Sequence, residues 1–162
     1  TLANAAALGG HIDVLRFLSE QCGPEVLAAA NANDFRPAHD AAQEGHVDAL
    51  RFIVEQCGSE VLTTARANGS TPAHAAALRG HMDVLRYLFE QRGREVLTAA
   101  MADGSTLAHA AAANGHVDVL RLLGEECGSE ALTVADKDDW TPVQSVALGG
   151  HVDALRFIAE QC

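Results

Sequence analysis

A helical pattern of hydrophobic and charged residues runs through positions 82–90. The apolar residues are Met82, Val84, Leu85 and Leu88, and the charged residues are Asp83, Arg86 and Glu90. Charged residues spaced i, i+3 and i+7 share one face of an α-helix, which leaves the opposite face to the apolar residues. The pattern therefore predicts an amphipathic helix that buries one side and ends at Gly93.

A shorter helix is predicted immediately before this one. Thr71 and Pro72 form a helix start, because a threonine hydroxyl can cap the first turn and proline fits the first helical position. The alanine-rich residues 73–78 favour helix, and Gly80 supplies the left-handed residue that stops it. Residues 94–105 should form a loop that opens with a short extra helical turn, with Leu97 packed beneath it.

The same pattern returns along the whole chain at a fixed interval. The octapeptide GHVDALRF occupies positions 45–52 and again 150–157, and close variants begin at Gly10, Gly80 and Gly115, which sets a period of 35 residues. Five units follow, at about 1–35, 36–70, 71–105, 106–140 and 141–162, the last truncated. Such a period predicts a single array in which each unit packs on its neighbours.

The unit resembles the ankyrin repeat. The stretch GSTPAHAAALRGHMDVLRYL, residues 69–88, carries the T-P-x-H and G-H motifs of that family. The resemblance implies an all-α solenoid of paired antiparallel helices with long loops. It also implies a non-catalytic role in protein–protein recognition, through the concave face and the loop tips, without a cofactor. This unit is longer than the family's usual 33 residues and has Leu97 where the family has an asparagine, so we expect little or no regular β-structure.

The charge and the hydrophobic pattern exclude several classes of partner. The chain of 162 residues has 22 acidic residues against 11 lysines and arginines, a net charge of −11. Nucleic acids and anionic membranes attract basic surfaces, so neither is expected as a partner. No apolar run approaches the roughly 20 residues of a membrane-spanning helix. The sequence also lacks a nucleophile elbow, a phosphate-binding loop and an HExxH motif, so no enzymatic activity is predicted.

The four cysteines share one position of the repeat, which Arg92 fills in the third unit. They are Cys22, Cys57, Cys127 and Cys162. Equivalent atoms of stacked helices lie about 8–10 Å apart, whereas a disulfide needs Cα atoms within about 7 Å. We therefore expect partly exposed free thiols, which favour an intracellular, cytoplasmic setting.

The eight histidines fall into two columns of the repeat. One column follows the glycine of the G-H motif, at His11, His46, His81, His116 and His151; the other lies in the first helix, at His39, His74 and His109. Members of one column recur about 10 Å apart, too far to share a metal ion at bond lengths of about 2 Å. Asn4 and Gln144 replace the first-helix histidine in the outer units. A structural role is therefore favoured over metal binding.

Positions that differ between units remain as candidates for partner contact. By position in the family they lie at the loop tips and on the first helices: Asp34, Phe35, Asp40, Gln43, Glu44, Arg66, Asn68, Arg79, Asp103, Asn114, Asp136, Lys137, Asp138 and Trp140. Phe35 and Trp140 share one repeat position and are predicted anchors, since aromatic residues dominate interface hot spots. The alternative is that each ring packs on its neighbouring loop. Acidic residues concentrate in the second unit and at the last tip, with Arg66 and Arg79 between them.

The functional prediction is a protein-binding module whose partner the sequence does not identify. Two alternatives are a structural spacer and a substrate-recruiting segment of a larger multidomain protein. The end units keep apolar residues at positions where a terminal unit is expected to be polar, namely Leu8 and Leu18 at one end and Leu155 and Ile158 at the other. We therefore expect either a longer array or end-to-end stacking on other molecules, including further copies of the chain.

Overall fold

A computed structural model describes residues 1–161, and within them the chain forms ten α-helices in five pairs. The first helices of the pairs are α1 (Leu2–Leu8), α3 (Pro37–Gln43), α5 (Pro72–Arg79), α7 (Leu107–Ala113) and α9 (Pro142–Gly149). The second helices are α2 (Ile12–Cys22), α4 (Val47–Cys57), α6 (Met82–Arg92), α8 (Val117–Cys127) and α10 (Val152–Gln161). The predicted all-α class is confirmed.

The helices form two rows. In the first row, each odd-numbered helix packs on the next odd-numbered helix. In the second row, α4 packs on α2 and on α6, and α8 packs on α10. The two helices of a pair also pack on each other. The structure is therefore a stack of helical hairpins, in which every unit is buried by its neighbours in the chain.

A 3₁₀ turn follows each of the first four second helices. These turns are Pro24–Leu27, Ser59–Leu62, Gly93–Val96 and Ser129–Leu132. Leu97 is buried directly after the third turn, which confirms the expected extra helical turn. The β-structure in the described residues is one isolated bridge, between Ala100 and Thr106, in agreement with the prediction of little or no regular β.

Helix ends follow the predicted chemistry in the third unit. The backbone N–H of Thr71 donates to Nδ1 of His74 at 3.3 Å, and the Thr71 hydroxyl lies 2.9 Å from the same nitrogen. Gly80 adopts the left-handed conformation, with φ 76° and ψ 23°, at the end of α5. A Cβ there would lie 2.6 Å from Nδ1 of His116 in the next unit. The glycine thus serves both the turn and the close contact between units.

The core consists of small and branched apolar residues. Leucines at one repeat position of the second helices (Leu15, Leu50, Leu85 and Leu120) are fully buried, and alanines of the first helices fill the space between neighbouring units. Leu155, at the same position in the last unit, is 39% exposed. Burial at this position therefore requires the unit that follows in the chain, since Leu15 of the first unit is fully buried with a neighbour on that side alone.

Arg36 interrupts the capping pattern in the second unit. It stands where the other units have threonine, and within the described residues its side chain makes no capping bond to α3. Nδ1 of His39 is consequently buried without a hydrogen-bond partner.

We expect Arg36→Thr to raise the free energy of unfolding by about 1 kcal/mol, because it restores the cap that Thr71 provides in the third unit. The Arg36–Asp34 ion pair that is lost spans 3.5 Å and is partly exposed, so it contributes little. Urea unfolding followed by circular dichroism measures the effect, and Thr71→Ala is the control that should lower stability by a similar amount. An unchanged or lower midpoint for Arg36→Thr would contradict this explanation.

Candidate recognition surface on the loop tips and first helices

The loop tips share one backbone geometry. Asp34, Gly69, Gly104 and Asp139 occupy the same repeat position, and all have positive φ, at 61°, 83°, 89° and 60°. The two aspartates adopt this conformation without glycine's freedom, which aspartate tolerates better than most residues. The turn is therefore preserved in all four units while the side chain at its apex changes.

Hydrogen bonds tie successive tips together. The N–H of Ala102 donates to the carbonyl of Asn68 at 2.8 Å, and the N–H of Lys137 donates to the carbonyl of Asp103 at 2.9 Å. The Lys137 ammonium also donates to the carbonyl of Ala102 at 2.7 Å. The tips consequently form a continuous wall rather than separate loops.

Several predicted contact residues shape these turns. The amide oxygen of Asn68 accepts from the N–H of Ser70, and a carboxylate oxygen of Asp103 accepts from the N–H of Ser105. One carboxylate oxygen of Asp136 accepts from the N–H groups of Asp138 and Trp140, both at 2.9 Å. Asn68, Asp103 and Asp136 therefore hold the tips in position, whatever they also contact.

Phe35 and Trp140 are held differently, although they share a repeat position. The guanidinium of Arg66 lies over the Phe35 ring, 3.7 Å from its centroid, and the ring meets His39 edge-on at 6.3 Å. The indole N–H of Trp140 donates to the hydroxyl of Ser145 at 2.9 Å, and the side chain is 39% exposed. Phe35 is thus packed within the chain, whereas Trp140 keeps an accessible surface.

Asp40 does not lie on the accessible surface. It is 8% exposed, and its carboxylate accepts a hydrogen bond from the side-chain amide of Asn4 in the first unit. Burial raises the pKa of the Asp40 carboxyl above its ordinary value, and the Asn4 hydrogen bond counteracts part of that effect. Asp40 therefore links the first two units, which differs from the surface position expected of it.

The remaining candidates lie at or near the surface. Glu44, Arg79, Asn114 and Asp138 are exposed, and Gln43 is half-buried with its amide donating to the Glu44 carboxylate at 2.9 Å. Arg79 is the last residue of α5, in the middle unit, and Asp138 lies in the last tip.

A depression lies between the tips and the first helices of the middle units. Its volume is about 410 Å³, and it reaches from Phe35 and Gln43 at one end to Ala110 at the other, with Leu78 and Met101 on its walls. Leu78, Ala75 and Ala110 were not among the predicted contact residues. Ala75 and Ala110 carry a small side chain at the first-helix position where the second and fifth units have Asp40 and Ser145, and this difference was the signal that could have identified them. We call this surface the concave groove. Four of the predicted partner-contact residues line it: Phe35, Gln43, Arg66 and Asn68.

Six of the eight histidines place Nε2 within 3.2 Å of a backbone carbonyl oxygen. In the G-H column, Nε2 of His46 lies 3.0 Å from the carbonyl oxygen of Leu8, and Nε2 of His81 lies 2.8 Å from that of Gln43. In the first-helix column, Nε2 of His109 lies 2.9 Å from the carbonyl oxygen of Trp140. These contacts give the imidazoles a structural role. Residues 1–161 contain no cluster of three or more metal-ligating side chains.

The cysteines are free where the structure describes them. Cys22 is exposed and Cys57 and Cys127 are half-buried; Cys162 lies outside the described residues. Burial raises the pKa of the Cys57 and Cys127 thiols above the ordinary value. These two thiols are therefore protonated at neutral pH and are poor metal ligands or nucleophiles.

The fold and surface together define a helical repeat protein that presents a groove and a wall of rigid loop tips. A family model described as ankyrin repeats, in many copies, matches residues 2–52, 38–89 and 108–159. The chain belongs to the ankyrin-repeat family, whose members generally serve as protein–protein interaction modules and are typically non-catalytic. The sequence has no match among curated proteins. Among the described helices, none combines the length and apolar character needed to cross a membrane.

Proposed function

We propose that this chain is a non-catalytic recognition module that binds a protein partner through the concave groove and the adjoining loop tips. The observation that carries the proposal is the half-exposed Trp140 on a tip whose backbone is fixed by Asp136. A rigid aromatic residue loses little conformational entropy on binding and is a frequent interface hot spot. The free thiols support an intracellular, cytoplasmic site of action.

Affinity capture from a cell lysate tests this function. We expect Trp140→Ala to retain at least about tenfold less of the captured protein than the parent chain, as for loss of a hot-spot residue. Val134→Ala is the control, because Val134 is an apolar side chain that is 44% exposed but does not line the groove. Circular dichroism verifies that both variants keep their helices.

Other results of the same capture favour the two alternatives. Equal retention by the parent and Trp140→Ala would contradict Trp140 as an anchor of the binding surface, and either that result or no retained protein would favour a structural spacer. Retention of a protein that is the substrate of an enzyme domain in the same polypeptide would favour a substrate-recruiting segment. The three roles thus predict different results in the capture experiment.

We also propose that the 162-residue chain stacks end to end with a second copy. Between neighbouring units, an arginine of one second helix lies over an aromatic ring of the next, as Arg16 does over Phe52 at 5.0 Å. Phe17 and Arg156 hold the ring and arginine positions at opposite ends of the stack. A second copy would bring them together in the way that neighbouring units already do.

Sedimentation over a range of concentrations measures this association. We expect the weight-average mass to rise with concentration, and Phe17→Ser to remain monomeric because the ring no longer contributes apolar area. Trp140→Ser is the control that should associate as the parent does. A single monomeric species for the parent at high concentration would rule out the stacking.

A further inference from the structure

Arg66 is the only acidic or strongly basic side chain among the residues that line the concave groove. Its Nη2 donates to the carbonyl of Asn33 at 3.1 Å, and its plane is held against the Phe35 ring. Within the described residues, no carboxylate lies within ion-pair distance of it. Its Nε is buried without a hydrogen-bond partner. The groove thus holds a fixed guanidinium whose charge has no carboxylate partner within the described residues.

Nearby carboxylates have other partners. Asp34 pairs with Arg36 and accepts the backbone N–H of Ala67, and the Asp40 carboxylate is buried against the amide of Asn4. Forming an ion pair between Arg66 and either aspartate would require breaking these bonds. A carboxylate partner for Arg66 is therefore more readily supplied by another protein than by Asp34 or Asp40.

Beside Arg66 the groove has apolar walls and a volume of about 410 Å³. Ala75 and Ala110 leave space where Asp40 stands in the second unit, and Ser70 and Ser105 stand where Phe35 and Trp140 extend in the outer units. The flanking walls are Leu78, which is 44% exposed, and Met101. Burying a large apolar side chain here would remove apolar surface of both partners from water.

We propose that the concave groove recognises an extended segment of a protein partner in which a large apolar side chain is followed or preceded closely by aspartate or glutamate. The apolar side chain occupies the depression over Ala75 and Ala110, and the carboxylate accepts hydrogen bonds from Arg66. This inference rests on the proposed function, since it specifies the partner of that same groove. Arg66 complements the charge of the carboxylate at a site whose other lining side chains are uncharged or histidine.

The net charge of −11 does not oppose this pairing at contact distance. Interactions between exposed charges are largely screened beyond the Debye length of about 8 Å at physiological salt. Arg66 would meet the incoming carboxylate directly, and a charge-assisted hydrogen bond between guanidinium and carboxylate is among the stronger polar contacts. The global charge slows the approach of an acidic partner, whereas the local arginine determines which residue is accepted.

Selection of displayed random dodecapeptides on the immobilised chain tests the inference. The parent is compared with Arg66→Gln, with Ala110→Leu, which fills the depression, and with the control Arg94→Gln, which removes an exposed arginine outside the groove. We expect the parent and Arg94→Gln to enrich peptides that place an acidic residue within a few positions of a large apolar one. A selected peptide should bind Arg66→Gln about tenfold more weakly.

The two substitutions should have different signatures. Arg66→Gln should retain the apolar preference and lose the acidic one, whereas Ala110→Leu should lose the apolar preference. If the parent enriches basic peptides, or if Arg66→Gln selects the same acidic sequences, the inference is overturned while groove recognition stands. If no variant and no parent enriches any peptide, both the inference and the proposed function fail.

Discussion

Leu85→Ala is expected to lower the free energy of unfolding by about 2–5 kcal/mol, the cost of removing a fully buried leucine side chain and leaving a cavity. Leu85 is fully buried in the middle of the stack, where units on both sides prevent the site from collapsing. Urea unfolding followed by circular dichroism gives the difference.

Leu155 is the matched control for this substitution. It has the same repeat position and helix context but is 39% exposed, because no unit within the described residues covers it. We expect Leu155→Ala to cost about 1 kcal/mol or less, since part of the side chain already contacts water. Equal effects of the two substitutions would contradict the account in which neighbouring units, rather than position within a unit, set burial.

Acidification from about pH 7.5 to pH 5 is expected to destabilise the fold by about 4 kcal/mol, about 2 kcal/mol for each of two buried histidines. Burial lowers the pKa of His39 and His74 from 6.5 to about 4. Between those values the unfolded chain binds a proton that the folded chain does not. The stability that comes from keeping these two histidines neutral is therefore fully present above pH 6.5 and is lost as the pH falls towards 4. The raised pKa of Asp40 acts in the opposite direction.

His74→Gln isolates one of these contributions. In the last unit Gln144 replaces the histidine and accepts the N–H of Thr141 at 2.7 Å, so glutamine keeps the cap without an imidazole to titrate. Urea unfolding at the two pH values should show a pH dependence smaller by about 2 kcal/mol for His74→Gln. An unchanged pH dependence would show that the buried His74 imidazole is not its source.

The repeat made much of this fold predictable from the sequence. Because five units could be compared position by position, Gly80 could be assigned to a helix end and Leu97 to the underside of an extra turn. The same comparison favoured a structural role over metal binding for both histidine columns. These inferences needed only local geometry and the regular packing of one unit on the next.

Contacts particular to one pair of units could not be predicted in this way. Asp40 was expected at the surface because the residue at its repeat position differs between units. It is buried, and its carboxylate accepts a hydrogen bond from Asn4, which lies 36 residues away in the sequence. The stacking of Arg66 on Phe35 likewise joins residues of different tips. The groove itself arises from the absence of large side chains at Ala75 and Ala110, and alanine carries no chemical group that marks a site in the sequence.

The binding surface that we propose is the concave groove with the loop tips, and not the outer helices. Amide hydrogen exchange of the chain, alone and with the protein recovered by capture, tests it most directly. The account predicts slower exchange on binding at residues 66–70, 101–105 and 136–140, with the outer faces of α4, α6 and α8 unchanged. Protection confined to those second helices, with the loop tips unaffected, would contradict it.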